Sequence, residues 1–322
     1  MKIECKKTTE LSEKEILNYC ESFERTFPRH KRELDTFKSE YLNSSIGYSF
    51  HILLKNDENR IVGAYSATPF LYEINGKSVL IASGADLMIE PEYRNDIRNV
   101  INIIKQTEVY LKENGVCCLY GFPNEYSYRL NITLMKMKAI TPLNTYILPL
   151  RIGDAKPLLK LLNPLSYIAS KCLLLLSYLD RNNKEFVPKI HKKRPDFDNV
   201  RYQWYHPEEY KKYQDEKFKC VWKISSFEGV KACFLIDVYP YSKNNFNKAV
   251  RKMVKQEQEH AGLFIYVGNL QSTPVSMLKV PHKVQPKNFR FVAKILDCSV
   301  MNEDDLLVGS NWDLNLSSYD LV

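Results

Sequence analysis

The sequence predicts an α+β fold built from two mixed, mostly antiparallel sheets flanked by helices. Three observations lead there. Strand signals separated by turn chemistry follow two opening helical segments, which reads as an antiparallel meander. A strand–helix–strand unit comes next, and its crossover implies a parallel or splayed pair of strands. The same order (strand, Pro-bearing loop, helix, Gly, strand) recurs in the second half of the 322 residues, as expected of an internal duplication.

Each element has its own signal. Leu11, Ile16, Leu17, Cys20 and Phe23 follow helical spacing, with Ser12 or Thr9 as N-cap. A second helix fits 31–42. Residues 48–54 are β-rich, Asn56-Asp57-Glu58-Asn59 is turn chemistry, and 61–68 is the returning strand. Asn75-Gly76 marks a hairpin between 70–74 and 78–89. After the loop Glu90 to Asn95, a helix carries Ile97, Val100, Ile101, Ile104, Val109 and Leu111, with Gly115 at its C-terminal cap. The apolar run 116–120 is a buried strand, 125–137 a short helix, and 140–150 a last strand of the first half. In the second half, strand 230–239 leads through loop 240–245 to a helix with Phe246, Ala249, Val250 and Met253 on one face. Gly262 and strand 263–267 follow.

Composition bounds the function. Forty-six basic and 38 acidic residues leave +8, which suits an anionic ligand without demanding one. Eight cysteines form no C-x-x-C and no Cys/His cluster with zinc spacing, so no metal is expected. Several lie in apolar runs, which reads as reduced core cysteine in a cytoplasmic protein. The first ten residues are too polar for a signal peptide. The most apolar stretch, 158–179, contains Lys160, Asn163, Pro164 and Lys171. It reads as an amphipathic connecting helix, and membrane association is not favoured. Lys189 to Arg194 is a basic cluster read as solvated linker. His51 reads as a structural residue in a strand. His30, His191, His206, His260 and His282 form no triad with a Ser or Cys.

The stretch Ala85-Asp86-Leu87-Met88-Ile89-Glu90-Pro91-Glu92-Tyr93-Arg94, with Tyr120 to Ser127 downstream, resembles the acyl-coenzyme-A-binding strands and loop of the GNAT (GCN5-related N-acetyltransferase) superfamily. The resemblance covers about residues 1–150, and the second half looks like a second, diverged copy. Asn311-Trp312-Asp313-Leu314 and Pro281-His282-Lys283 resemble segments of two-copy members. It implies a GNAT-like acyl-CoA-binding domain over 1–150, a helical and basic linker over 151–195, and a diverged GNAT-like domain over 196–322.

The resemblance also implies a site. Leu87, Met88 and Ile89 would lend free backbone groups to the pantetheine arm, as an added strand does. Arg94, Asn95, Asp96, Ile97, Arg98 and Asn99 would wrap the pyrophosphate at a helix N-terminus. Asn124 and Ser127 would bind the arm from the next turn. Asp86 and Glu90 are the candidate bases, directly or through water. Asn131 stands where the family often has a tyrosine acid, which leaves Tyr128, beside Tyr126, as the nearby substitute. Ile97 and Asn99 occupy the family's two glycine positions. None of the 11 glycines lies between Gly84 and Gly115, nor between Gly229 and Gly262.

The expected function is acetyl transfer from acetyl-CoA to the amine of a small-molecule acceptor by direct attack. One alternative is a transferase that takes its acyl group from aminoacyl-tRNA, the only case in which a nucleic acid is expected as partner. The other is a non-catalytic binding protein on the same fold.

Overall fold

The computed structural model describes residues 1–204, 209–227, 230–285 and 288–319. His206 lies outside the described residues. In chain order the strands are β1 (Lys2–Lys7), β2 (Phe50–Lys55), β3 (Ile61–Ile74), β4 (Lys77–Ile89), β5 (Val116–Gly121), β6 (Lys138–Ala139), β7 (Asn144–Pro149), β8 (Ile190–Lys192), β9 (Lys211–Gln214), β10 (Lys219–Phe227), β11 (Val230–Tyr239), β12 (Leu263–Gly268), β13 (Leu278–Val280) and β14 (Val292–Ile295). The helices are α1 (Glu13–Thr26), α2 (Leu34–Leu42), α3 (Ile97–Glu113), α4 (Glu125–Thr133), α5 (Asn163–Leu176), α6 (Asp196–Trp204), α7 (Lys243–Glu257) and α8 (Glu303–Leu307).

The chain forms two compact units. Unit 1 comprises Met1–Thr141, Lys189–Tyr205 and Arg290–Val308; unit 2 comprises Pro142–Pro188, His206–Phe289 and Gly309–Val322. These are not the three consecutive stretches 1–150, 151–195 and 196–322. The strand expected to end the first half, β7, pairs with β12 and β13 in the sheet of unit 2. In return β14, from near the C-terminus, pairs with β5 and β6 in unit 1. Local periodicity identifies a strand but carries no information about a partner 150 residues away, so the exchange is invisible in sequence.

Unit 1 holds an eight-stranded sheet in the order β1-β2-β3-β4-β5-β14-β6, with β8 added to β3. All pairings are antiparallel except β4 with β5. One face is covered by α1 and α2. Ile16, Tyr19, Cys20, Phe37 and Tyr41 pack there on Leu53, Ile61, Ala64 and Met88. On the other face Ile103, Ile104 and Leu111 of α3 pack on Phe50, Ile52, Leu54 and Leu119. Ser12 caps α1 in a reciprocal box with Glu15, while Leu17, assigned to its apolar face, is exposed. Ile97 and Val109 of α3 are exposed too.

The segments 61–68 and 70–74 are one strand rather than two, despite Pro69 between them. The Pro69 carbonyl accepts from Ser45 N (3.3 Å). The missing N–H therefore falls on the edge of β3 where β2 has already ended, since their register stops at Phe50–Ala67. Gly115 closes α3 in the left-handed region (φ +78), as a C-terminal cap requires.

Unit 2 holds a six-stranded sheet, β13-β7-β12-β11-β10-β9, again antiparallel except for one parallel pair, β11 with β12. The helix α7 makes that crossover. Its face Phe246, Ala249, Val250 and Met253 is fully buried against Trp222, Leu235 and Phe264. Both units are thus α+β, each with a mixed, mostly antiparallel sheet flanked by helices.

The strand exchange makes a checkable claim. Val292, on β14, is fully buried in the core of unit 1. Val292→Ala removes two methyl groups there and is expected to cost about 1–3 kcal/mol. In hydrogen exchange the amides of β5 should lose protection first, although the substitution lies near the C-terminus. First loss in β11 and β12 instead would contradict the assignment of β14 to unit 1.

Candidate functional site

Strands β4 and β5 start as a parallel pair at Leu80–Val116 and part after Ser83–Tyr120. β5, whose other edge pairs with β14 over 118–121, ends at Gly121, while β4 runs on to Ile89. Among the described residues, no strand pairs with the edge of β4 over 84–89 that faced β5. Leu87, Met88 and Ile89, the residues expected to offer free backbone groups, all lie in it. Met88 and Ile89 are buried on their side-chain faces.

A bulge shapes the same stretch. Ala64 pairs with Met88 and Ser66 with Ala85, so Tyr65 of β3 stands against both Asp86 and Leu87. Asp86 takes the left-handed region (φ +50), which an aspartate tolerates better than a branched residue. Gly84 lies under the Tyr65 ring. A Cβ at this position would come 2.1 Å from Tyr65 Oη. Only glycine fits, and the Tyr65 hydroxyl stands where the two strands separate.

The Asp86 carboxylate turns toward α1 and α2. Tyr19 Oη donates to Oδ2 at 3.1 Å, and Tyr41 Oη and Arg32 also donate to it. Arg32 pairs in addition with Glu40 (2.8 Å) and stacks over Phe23 (4.3 Å). Ser66 Oγ bonds Tyr19 Oη (2.8 Å) and His51 Nδ1 (2.9 Å), and His51 Nε2 reaches Thr8 Oγ1 (2.9 Å). This chain of groups sits in an aromatic box of Tyr19, Phe37, Tyr41 and His51. Burial pushes Tyr41 up to about 12. Burial, aided by the Arg32 charge, pushes His51 down to about 3, so the ring is neutral. Ser66 and His51 are adjacent but both wholly buried, so no substrate reaches that pair as it would a nucleophilic triad.

Glu90 follows β4 and is also buried. Arg25 Nε donates to it at 2.9 Å and Arg60 NH1 at 3.0 and 3.1 Å. The Asp86 and Glu90 carboxylates, both expected as bases, are therefore each tied by arginine.

The loop to α3 differs from what the glycine positions suggest. Arg94 Nε donates to Ile89 O (2.7 Å), folding the side chain back onto the strand end. Asp96 is the N-cap of α3 and accepts from Arg98 N (3.0 Å). Arg98 grips the same carboxylate at 2.7–3.1 Å, which holds Asp96 below the ordinary carboxylate range. Ile97 and Asn99 are both in the first helical turn, and neither has a positive φ. Strain at these two positions is therefore absent. Asn99 is buried and its amide donates to Tyr93 O (3.0 Å), pinning the loop. The N-terminus of α3 thus already holds a negative group, the carboxylate of Asp96.

Across the splay, Asn124 caps α4. Its Oδ1 accepts from Ser127 N and Ser127 Oγ, both at 2.9 Å. Tyr128, one turn into α4, lies under the Arg290 guanidinium (4.4 Å to the ring). Tyr126 is almost wholly exposed. Asn131 donates to Ser127 O (2.7 Å), a helix-internal role. Unit 2 shows a similar loop: Ser242 caps α7, and Asn245 donates to Pro240 O (3.0 Å), as Asn99 does to Tyr93.

The fold places the predicted residues in four separate environments. Asp86 belongs to the aromatic box, Glu90 to the Arg25–Arg60 clamp, Asp96 to Asn99 to the start of α3, and Asn124, Ser127 and Tyr128 to the start of α4. Sequence reading missed Tyr19, Arg32, Tyr41 and Tyr65. Tyr19 and Tyr41 lie on α1 and α2, Arg32 lies just before α2 in a stretch expected to be helical, and Tyr65 lies in a strand where tyrosine is common. Among the described residues, no three His, Cys, Asp or Glu side chains gather as a metal site.

The pH dependence of stability follows from His51. In the unfolded chain it titrates near 6.5, in the fold near 3. Between these values the unfolded state binds the extra proton, so this group's contribution is full above pH 6.5 and lost as pH falls toward 3. Urea midpoints of the protein should drop between pH 6.5 and 4 more steeply than those of His51→Gln, which cannot titrate. Parallel curves would rule out a neutral His51.

Residues 7–130 match the family model of the acetyltransferase (GNAT) domain. No curated protein sequence matches the chain. Solved structures share the architecture at low identity. A GCN5-related N-acetyltransferase from Kribbella flavida superposes with a TM-score of 0.57 at 15% identity, covering 92% of this chain and 72% of that one. One from Anabaena variabilis gives 0.56 at 13%, covering 91% and 73%. A probable N-acyltransferase of unknown function from Enterococcus faecalis gives 0.56 at 12%, covering 92% and 73%. At such identities the likeness speaks for the fold, while the family match speaks for one stretch of the chain: residues 7–130 match the acetyltransferase (GNAT) domain.

Proposed function

We propose that the protein is an N-acetyltransferase that moves an acetyl group from acetyl-CoA to the amine of a small-molecule acceptor. The single observation that carries this reading is the unpaired edge of β4 over 84–89, opened where β4 and β5 separate. The pantetheine amides would pair along that edge as an added strand. Asn124 and Ser127 lie across the splay, at the start of α4, and would hold the arm from the other side. Arg94 to Asn99 would take the pyrophosphate at the start of α3, where the helix dipole favours anions. A cytoplasmic setting, where thiols stay reduced, goes with eight free cysteines.

In the reaction the amine nitrogen attacks the thioester carbonyl, the C–S bond breaks, and the thiolate of CoA leaves. The amine sheds a proton and the thiolate accepts one. Tyr128 is our choice for the donor to the thiolate, and Asp86 for the acceptor from the amine, directly or through water. Glu90, with both oxygens engaged by Arg60 and one also by Arg25, is better suited to positioning the end of β4. Tyr128→Phe should lower kcat by about 100-fold, the low end for a general acid, with little change in KM. An unchanged kcat would remove Tyr128 from the chemistry.

One observation favours a second reading. A carboxylate already occupies the anion position at the start of α3, which suits a non-catalytic binding protein in which this loop no longer meets a pyrophosphate. Titration calorimetry with acetyl-CoA and with CoA separates the two. Binding is expected, and Asp96→Asn should tighten it by about 2- to 5-fold, as removal of a like charge from a helix N-terminus implies. No heat at millimolar ligand, for the protein and for Asp96→Asn alike, would sink the acetyl-CoA reading. Transfer from aminoacyl-tRNA would instead appear as salt-dependent tRNA binding.

A further inference from the structure

We propose that unit 2 carries a docking surface for an anionic lipid bilayer, formed by the segment through α5 and the basic groove between α5 and α7. The segment Pro157–Leu176 is a continuous 20-residue helical stretch of mean hydropathy 1.3 with 11% of its apolar window buried. Leu158, Leu161, Leu165, Ile168, Leu175 and Leu179 are all exposed, the first two at 96% and 94%. Leu162, Ala169, Cys172 and Leu176 are exposed beside them. Single exposed leucines need no explanation, whereas a contiguous apolar patch marks an interaction site.

The helix lies on its unit and does not leave it. Ser170 Oγ donates to Pro149 O (2.9 Å), Leu174 enters the core of unit 2, and Ser177 Oγ accepts from Arg251 (2.6 Å). One side is thus seated on the sheet and the opposite apolar arc faces outward, the arrangement of a helix that lies in a membrane interface rather than across it. Sequence alone favours a connector here; the exposure of this arc is what the fold adds.

Charge selects the occupant. A groove of about 570 Å³ beside the helix is lined by Lys171, Lys248, Arg251, Lys252 and Lys255 against one carboxylate, Asp215. Among the described residues, none of these five cations forms an ion pair. Arg251 stacks on Tyr178 (4.0 Å), Lys252 on Tyr213 (4.2 Å), and Lys171 bonds Gln258 (2.9 Å). No Asp or Glu occurs from 155 to 179. A second copy of the chain on this face would set like charge against like, which disfavours a symmetric pair. Anionic headgroups, with acyl chains beneath them, satisfy both the groove and the apolar arc.

The full-length protein would be sedimented with vesicles of phosphatidylcholine alone and with vesicles containing phosphatidylglycerol. It should partition onto the anionic vesicles at least tenfold better and be released by high salt. Lys248→Glu with Lys252→Glu should weaken this by about 30-fold or more. Leu158→Asp with Leu161→Asp should abolish it while leaving the circular dichroism and Tm unchanged, since both side chains are free of the core. No sedimentation, equal binding to both vesicles, or unchanged binding by either variant would overturn the proposal. So would a dimer by light scattering that the leucine variants dissociate and that binds no vesicles, since the arc would then belong to a second copy.

Discussion

Asp86 takes the left-handed region because β3 presents one residue, Tyr65, against two in β4, and much else in unit 1 follows from how that turn of the chain is held. Its carboxylate draws donors from α1, through Tyr19, and from the segment leading into and through α2, through Arg32 and Tyr41. These contacts lock the two N-terminal helices to the strand at the point where it leaves β5. Backbone strain at one residue costs on the order of 1–3 kcal/mol and persists only when its surroundings over-determine it. Here three polar donors and a buried aromatic box supply that excess. The same contacts engage the carboxylate fully, so a group near the splay holds the strand's shape as well as any proton.

Charge is arranged around the end of β4 in the same manner. Glu90 is buried and satisfied by two arginines, and Asp96 is satisfied by the helix it caps and by Arg98. A buried carboxylate without such partners would be costly. The partners make each one a fixed structural anion. The positive potential near the site is therefore largely spent within the chain, and what remains for a diphosphate is Arg94, whose Nε is directed to Ile89 O, and the helix start beyond Asp96.

Much of this was legible in the residues. Ser12 with Glu15, the Gly115 cap, the apolar face of α7 and the strand–helix–strand order all come from local rules, and local rules act over a few residues. The β4 stretch and its loop were legible as a resemblance, because the residues that shape that turn are sequential. Besides the strand exchange, three things were not. Pro69 reads as a break until one knows that β2 ends before it. Tyr19, Arg32 and Tyr41 read as helix faces until Asp86 is seen between them. Ile97 and Asn99 stand at two glycine positions of the resemblance, yet both are helical, and the competing anion comes from their neighbour Asp96, an ordinary helix cap by its pattern.

The exchange of β7 and β14 has a consequence for biosynthesis. A chain emerging from the ribosome has made β5 long before residues 292–295 exist, so the sheet of unit 1 must wait with an open edge beside a buried run, Val116–Gly121. Unit 2 waits less, since β7 precedes β12. Vectorial folding, N-terminal half first, is therefore closed to this protein, and its first half leaves the tunnel as a surface that invites wrong strand partners. Neither unit can be cut out at a single point in the gene and be whole.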